Sequence, residues 1–360
     1  MPTVVLNAKS GNAIWLEQIV RFGRPMRPKR CEVGVGLPKN TGWKVSKTEQ
    51  RERLDPAVQP TWEWTAKEVD MVWLKWLGLA LGLLVMALVG LNALGRWHWA
   101  GKTRALLARV EAVRKPAVPA RYNASELTGL PAPVQRYFRA ALQDGAPIVG
   151  AADVEHVGTF NLGERGDNWK PFSSHQRVVT QGPGFLWNGR IDVLPAFSVR
   201  VHDAYVAGEG ILHPAVFGLF TLMDLRGTQA IAEGELMRYL AEAAWYPTAL
   251  LSSQGVQWTA VDDSSAKATL KSGPLTVGLT FTFDTEEGLI EAVRAEARGR
   301  TEGGQLVMRP WEGRWSDYQW HDGMRVPMSG EAAWLLPAEE GGRKPYWRGS
   351  ITALRHEPSR

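Results

Sequence analysis

Apolar positions along the second half of the chain recur mostly with a period of two. Val277, Leu279, Phe281 and Phe283 alternate with Gly278, Thr280 and Thr282, which predicts an antiparallel strand with one apolar and one polar face. After a turn at Asp284 to Gly288, Val293, Ala295 and Ala297 fall on one side and Arg294, Glu296 and Arg298 on the other. Similar short runs surround Thr159, Val178, Ile191, Val199, Trp258, Ala268, Trp315, Ala333 and Ile351, separated by Gly, Pro, Asp and Ser, the spacing of a meander. One segment breaks the pattern. Leu236, Tyr239, Leu240 and Ala243 recur at helical spacing, Glu235, Arg238 and Glu242 face away from them, and Pro247 kinks or ends the helix. The predicted fold class is α+β: a large curved antiparallel sheet, a half-barrel-like meander over residues 153–357, packed on a helix near 233–250.

Upstream the pattern is neither of these. Between Lys75 and Arg96 lie 20 uncharged residues with Asn92 the only strongly polar side chain. As a helix they span roughly 30 Å, the thickness of a bilayer's hydrocarbon core. Trp73 and Trp76 precede the run and Trp97 and Trp99 follow it, as expected of aromatics at headgroup level. The reading is one transmembrane anchor over 73–96. The apolar run exceeds the usual h-region and no small-residue cleavage site follows it cleanly, which argues against a cleaved signal peptide. A basic amphipathic helix lying near the membrane interface is expected over 97–118, ended by Pro116 and Pro119. A short helical segment follows over 119–152, where Val134, Tyr137, Phe138 and Leu142 share a face.

Charge sharpens this organisation. The chain of 360 residues is net +5, but residues 1–70 alone are +4 and Arg96 to Lys115 are locally +5, leaving 116–360 at −5. A basic collar beside an acidic domain fits a membrane surface, not a nucleic-acid groove, because phosphate tracking needs basic groups on the folded module. Residues 1–70 carry scattered prolines and no sustained period, and read as a poorly ordered tail; a chain starting at Met71 is the alternative. The basic run Arg24 to Arg30 reads as part of that solvated tail. The collar points the large domain to the cytoplasm by the positive-inside rule. The single Cys31 excludes a disulfide scaffold and a multi-thiolate zinc site.

The segments LPAPVQRYFRAAL (Leu130 to Leu142) and GELMRYLAEAAWYPTALL (Gly234 to Leu251), with the Trp-rich C-terminal strands, resemble a bacterial family of membrane-anchored proteins with no established activity. Arg238, Tyr239, Glu242, Trp245, Tyr246 and Pro247 are the densest part of the match, which covers roughly residues 125–356. The layout of that family is similar to the lipoprotein-carrier and related periplasmic lipid-binding folds. The resemblance therefore implies a large domain on the periplasmic or extracytoplasmic side, against the collar's indication.

Catalytic motifs are missing: there is no G-x-S-x-G elbow, P-loop, H-E-x-x-H or paired C-x-x-C. His202 and Asp203 could form a site with His175 or His213 across strands, but satisfied or exposed histidines are the favoured account of these residues. Arg238 and Glu242 are spaced as a surface ion pair worth a few tenths of a kcal/mol. Alternatively the sheet wraps their helix, putting Glu235, Arg238 and Glu242 in a groove where Arg238 holds an anionic headgroup, with Arg314 as a second anion contact. Trp187, Trp245, Trp258, Trp311, Trp315 and Trp334 would then be apolar walls. The candidate ligand-binding set is Arg238, Glu242, Tyr239, Trp245, Tyr246, Arg314 and Trp315, with no catalytic residue, metal or cofactor assigned. The expected partners are membrane lipids, a hydrophobic small molecule and a membrane protein. The expected function is an anchored protein that holds a lipid or other hydrophobic ligand; the alternatives are an envelope lipid or glycan hydrolase using Glu242 and Asp203, and a membrane-protein scaffold.

Overall fold

The computed structural model describes residues 72–359 apart from 164–165, 195–196 and 303–304, so the expected tail over 1–70 and the start at Met71 lie outside the described residues. Helix α1 runs unbroken over Val72–Ala112. Its sequence is rich in Leu and Ala and has no proline before Pro116, so nothing interrupts the backbone ladder where the apolar stretch meets the basic one. The chain divides into two compact units whose boundary falls within α1, after Gly90. In the first, residues 73–90 expose every side chain, and the helix is long and apolar enough to cross a membrane.

In the second unit, 14 antiparallel strands form one curved sheet. They are β1 (Val149–Asn161), β2 (Trp169–Val179), β3 (Gly184–Leu194), β4 (Phe197–Val206), β5 (Glu209–Val216), β6 (Phe220–Thr221), β7 (Leu225–Arg226), β8 (Val256–Ala260), β9 (Ser265–Ser272), β10 (Leu275–Phe283), β11 (Ile290–Glu302), β12 (Gln305–His321), β13 (Met324–Leu335) and β14 (Arg343–Pro358). Each strand pairs with its neighbour in sequence, except that β1 pairs with β14 from Val149 opposite Pro358 to Phe160 opposite Trp347, and β7 pairs with β5. That β1–β14 ladder fuses two meanders into one sheet with its edges at β6 and β8. Between the two edges the chain forms α3 (Gln229–Ala241), capped at its start by Thr228, and then short 3-10 turns through Leu250. A shorter helix, α2 (Ala132–Ala141), begins with prolines at its first turn and buries Val134, Tyr137, Phe138 and Ala141 in the core.

The predicted runs all lie in strands, and the sheet is the curved antiparallel meander expected. The strands β5 to β7 carry no signal that stood out in the sequence. Helix α3 takes the second of its two expected settings, enclosed by the sheet. Its expected polar face is buried along with its apolar one, including Glu235 and Glu242.

The last turns of α1 depart from the expected interfacial helix. Within the second unit Leu106 and Val110 pack on the outer face of the sheet against Val179, Leu186, Ala204, Val206 and Ile211. Trp97 is exposed, but Trp99 is only 1% exposed, stacked on His202 at 3.8 Å between ring centroids and donating Nε1–H to Asn188 Oδ1 at 2.9 Å. Gly95 admits this approach, since a Cβ there would collide with the Phe217 carbonyl. Part of the basic collar is also spent internally. Arg109 pairs with Glu209 at 2.6 Å and Arg114 with Glu357 at 2.9 Å, while Arg177 bonds Glu111, Asp153 and Glu357, tying the end of α1 to β1, β2 and β14.

Trp99→Ala removes a buried ring and leaves Asn188 without its donor. It should destabilise the sheet domain by about 3–5 kcal/mol, measured by thermal or denaturant unfolding of the full chain. A second prediction concerns acid. His202 accommodates Trp99 as a neutral ring whose Nε2 lies 2.8 Å from Thr103 Oγ1. Burial, then the charges of His213, Lys102, Arg226 and Arg200, lower its pKa to about 3. The unfolded chain therefore binds this proton more readily. The stability contributed by the neutral His202 should be full above about pH 6.5 and be lost at up to about 1.4 kcal/mol per unit as pH drops toward 3, and His202→Gln should remove that part of the slope in pH-dependent unfolding. His156, also lowered to about 3 by burial, should keep its own share of the slope.

Candidate functional site

Because α3 leaves one sheet edge and enters the other, it lies on the concave face and its polar side chains must find partners inside the protein. Arg238 finds them with every nitrogen. Its Nε donates to Glu242 Oε1 at 2.7 Å, Nη1 to Asp203 Oδ2 of β4 at 2.6 Å and Nη2 to Gln176 Oε1 of β2 at 3.2 Å. Gln176 completes the ring by donating Nε2–H to Glu242 Oε2 at 2.7 Å. Phe185 and Trp187 face the guanidinium, with ring centroids 5.0 and 5.5 Å away. Burial opposes the charge on Arg238, but Glu242 and Asp203 more than offset it and raise its pKa above the ordinary value. The pair is thus a buried network, and removing one member would leave uncompensated charge.

Above this network lies a cleft of about 110 Å³, lined by Trp187, Trp245, Trp311, Trp315 and Trp347 with Phe160 and Tyr346, and by Asp203, Arg238, Glu242, Arg298 and Glu331. The tryptophans lie against glycines of the same face. Trp187, Trp311 and Trp347 cover Gly189, Gly313 and Gly349 two residues along their own strands, and Trp315 covers Gly330 of the adjacent strand. A Cβ at Gly330 would sit 2.6 Å from the Trp315 ring and one at Gly313 3.1 Å from Trp311; Gly189 and Gly349 are tighter still. Glycine here is a matter of space: any larger residue lifts the indole off the sheet and into the cleft. The signal was present in the sequence as a recurring W-x-G, in WNG, WEG and WRG.

Arg298 reaches the cleft by an irregularity. Along β11 the pairing with β12 shifts between Ala295, opposite Trp311, and Arg298, opposite Arg309, so that three steps on β11 match two on β12. This bulge exposes Ala297 and turns Arg298 onto the concave face, reversing the alternation expected from the sequence. The guanidinium stands 5.1 Å from the Trp311 ring centroid and 6.0 Å from that of Trp334. Glu235 Oε1 is 3.9 Å from Arg298 Nη2. Burial, followed by the charge of Asp203, pushes the Glu235 carboxyl well above the usual carboxylate range, against the pull of Arg298 and Arg238. The indole N–H groups of Trp245 and Trp315 are buried without hydrogen-bond partners, as are Asp203 Oδ1 and Glu235 Oε2.

Of the predicted set, Arg238, Glu242, Trp245 and Trp315 come together at this cleft. Tyr239 and Tyr246 are buried elsewhere. The Tyr239 hydroxyl donates to the Thr180 carbonyl at 3.2 Å and that of Tyr246 to the Tyr239 carbonyl at 2.8 Å, locking the 3-10 turns to α3 and β2. Arg314 points to the opposite face and bonds Glu312 at 2.7 Å, because strand alternation separates it from Trp311 and Trp315. Trp258 packs on Phe281 and donates to the Leu250 carbonyl, outside the cleft. Trp334 stacks on Tyr346 beside it.

The histidines do not converge with Asp203. His202 and His213 face each other on the outer surface under α1, whereas Asp203 faces inward, and His175 pairs with Asp153. His321, Asp322 and His356 form a cluster of metal-ligand type among the described residues. However, the Nε2 atoms of its two rings already donate to the Leu354 carbonyl at 2.6 Å and the Trp245 carbonyl at 2.8 Å.

Comparison with solved structures places a LolA superfamily protein from Nitrosomonas europaea beside this chain at 10% identity and a TM-score of 0.28, covering 59% of this chain and 88% of that one. A beta-barrel-like protein of a domain of unknown function (DUF1849) from Brucella abortus aligns at 12% identity and a TM-score of 0.21, covering 58% and 98%. No curated protein matches the sequence significantly. The family model "Family of unknown function (DUF6920)" matches residues 128–356, which hold the sheet except for the last two residues of β14, all of α3 and every residue of the cleft. With well over half of its length matched, the chain belongs to that family.

Proposed function

We propose that this protein is a membrane-anchored binding protein whose tryptophan-lined cleft holds the apolar part of a lipid or other hydrophobic small molecule, with no covalent chemistry. The observation that carries the reading is the set of indoles laid flat against glycines on the concave face. Glycine beneath each tryptophan lets the indole lie flat on the sheet, and the outer faces of Trp187, Trp311, Trp315 and Trp347 line the cleft, with space above them that no side chain of the described residues fills. The cleft is small beside the ~300–1,000 Å³ of ordinary ligand pockets. It suits one alkyl chain or one ring system, with the rest of the ligand outside the mouth. The hydrolase alternative needs an unencumbered carboxylate, and Glu242 and Asp203 are both engaged by Arg238.

The apolar first part of α1 supports anchoring, with Trp73 and Trp76 exposed at its start. Arg109 and Arg114 of the basic collar form ion pairs with the domain, and long domains translocate largely regardless of charge, so the collar does not fix the sheet domain to the cytoplasmic side.

Native mass spectrometry of the full chain released from detergent should find a bound hydrophobic molecule. In a Gly189→Ala/Gly349→Ala variant the displaced rings should lower the loaded fraction roughly tenfold while far-UV circular dichroism stays unchanged. A wild-type protein that emerges empty, or a loaded fraction indifferent to the two glycines, would overturn the reading.

A further inference from the structure

The concave face holds a cation that no side chain among the described residues hydrogen-bonds. Arg238 spends all its nitrogens on Glu242, Asp203 and Gln176, whereas Arg298, with its side chain only 11% exposed, makes no side-chain hydrogen bond among the described residues. Its nearest carboxylate oxygen there is that of Glu235 at 3.9 Å, beyond hydrogen-bond reach. A cation this far from water is costly without a hydrogen-bonded counter-charge. Two further donors in the cleft wall lack acceptors, the indole N–H groups of Trp245 and Trp315, whereas Trp311 satisfies its own on the Tyr346 hydroxyl at 2.9 Å. A buried guanidinium with no hydrogen-bond acceptor and two unspent N–H donors are a demand for anionic oxygen. The bulge on β11 is what creates it, since unbroken alternation would have left Arg298 outside with Arg294 and Glu296.

We infer that the ligand of the cleft is an anionic amphiphile, whose carboxylate or phosphate oxygens are held by Arg298 between Trp311 and Trp334 while its hydrocarbon lies along the tryptophan wall. This rests on the hydrophobic-ligand reading and adds the headgroup. It also moves the anion contact from Arg238 and Arg314 to Arg298. Glu235 fits the same scheme: burial and the charge and hydrogen bond of the adjacent Asp203 raise its pKa well above the usual carboxylate range, which weakens it as a counter-charge for Arg298.

The test titrates the full chain, in native mass spectrometry after detergent removal, with dodecanoate, dodecyl phosphate and dodecanol. At least one of the two anions should bind roughly tenfold or more tightly than the alcohol. Arg298→Gln should abolish that preference while leaving dodecanol binding unchanged. Preference for dodecanoate marks a fatty-acid type of ligand and preference for dodecyl phosphate a phospholipid type. Equal binding of the alcohol and both anions to the wild type overturns the headgroup assignment and leaves the hydrophobic cleft standing. Failure of all three to bind removes the cleft reading itself. If Arg298→Gln does not fold, the wild-type preference still decides, and Arg298→Lys, keeping the charge without the planar fork, should retain part of it.

Discussion

The architecture turns on one topological demand: the chain must cross the concave face of its own sheet to get from one edge to the other. The β1–β14 ladder fuses two meanders, which leaves β7 near one edge and β8 at the other, and α3 is the crossing. A helix in that position gives solvent little beyond its first turns, at Gln229 and Glu233. Its charged residues must be neutralised by what the sheet supplies, and Asp203 and Gln176 of β4 and β2 do this for Arg238 and Glu242. Fold and cleft are thus two aspects of one arrangement, because the same crossing that buries the ion network also props the sheet away from the helix where the tryptophans line the gap.

The outer surface is organised by a different part of the chain. Residues 91–112 of α1 belong to the same compact unit as the sheet and cover strands that α3 covers from the other side. Strand β4 shows the division residue by residue. Val199, Val201, Asp203 and Tyr205 serve the concave side, while His202, Ala204 and Val206 serve the side beneath α1. Buried histidines on that side act as apolar filler with one hydrogen bond each, which is why His202 and Asp203, adjacent in sequence, share no chemistry.

Much of this was legible in the chain, for definite reasons. Period-two runs such as Val277 to Phe283 announce strands because one face is buried, and the apolar run after Lys75 announces itself by length. The family resemblance brought Arg238, Glu242 and Trp245 forward together. What stayed hidden depends on tertiary context. Trp99 reads like any aromatic flanking an apolar helix until the sheet is present to receive it. Arg314 looked like a cleft residue by proximity to tryptophans, yet alternation sends it outward. Arg298 carries the opposite error, since a bulge has no compositional signature in Val293 to Arg300. Five W-x-G triplets occur along the chain, and only packing shows that in the three strand triplets the glycine is there for the ring.

The β11 irregularity has an implication for how such a cleft could diversify. Whether a guanidinium stands inside or outside is set by a residue count, one extra position between two register points, with side-chain identity left untouched. A single-codon insertion or deletion in β11 would therefore swap a charged lining for an apolar one in one step. Relatives with nearly identical composition could accordingly differ in what they carry, and strand length, more than residue type, would be the variable to compare between them.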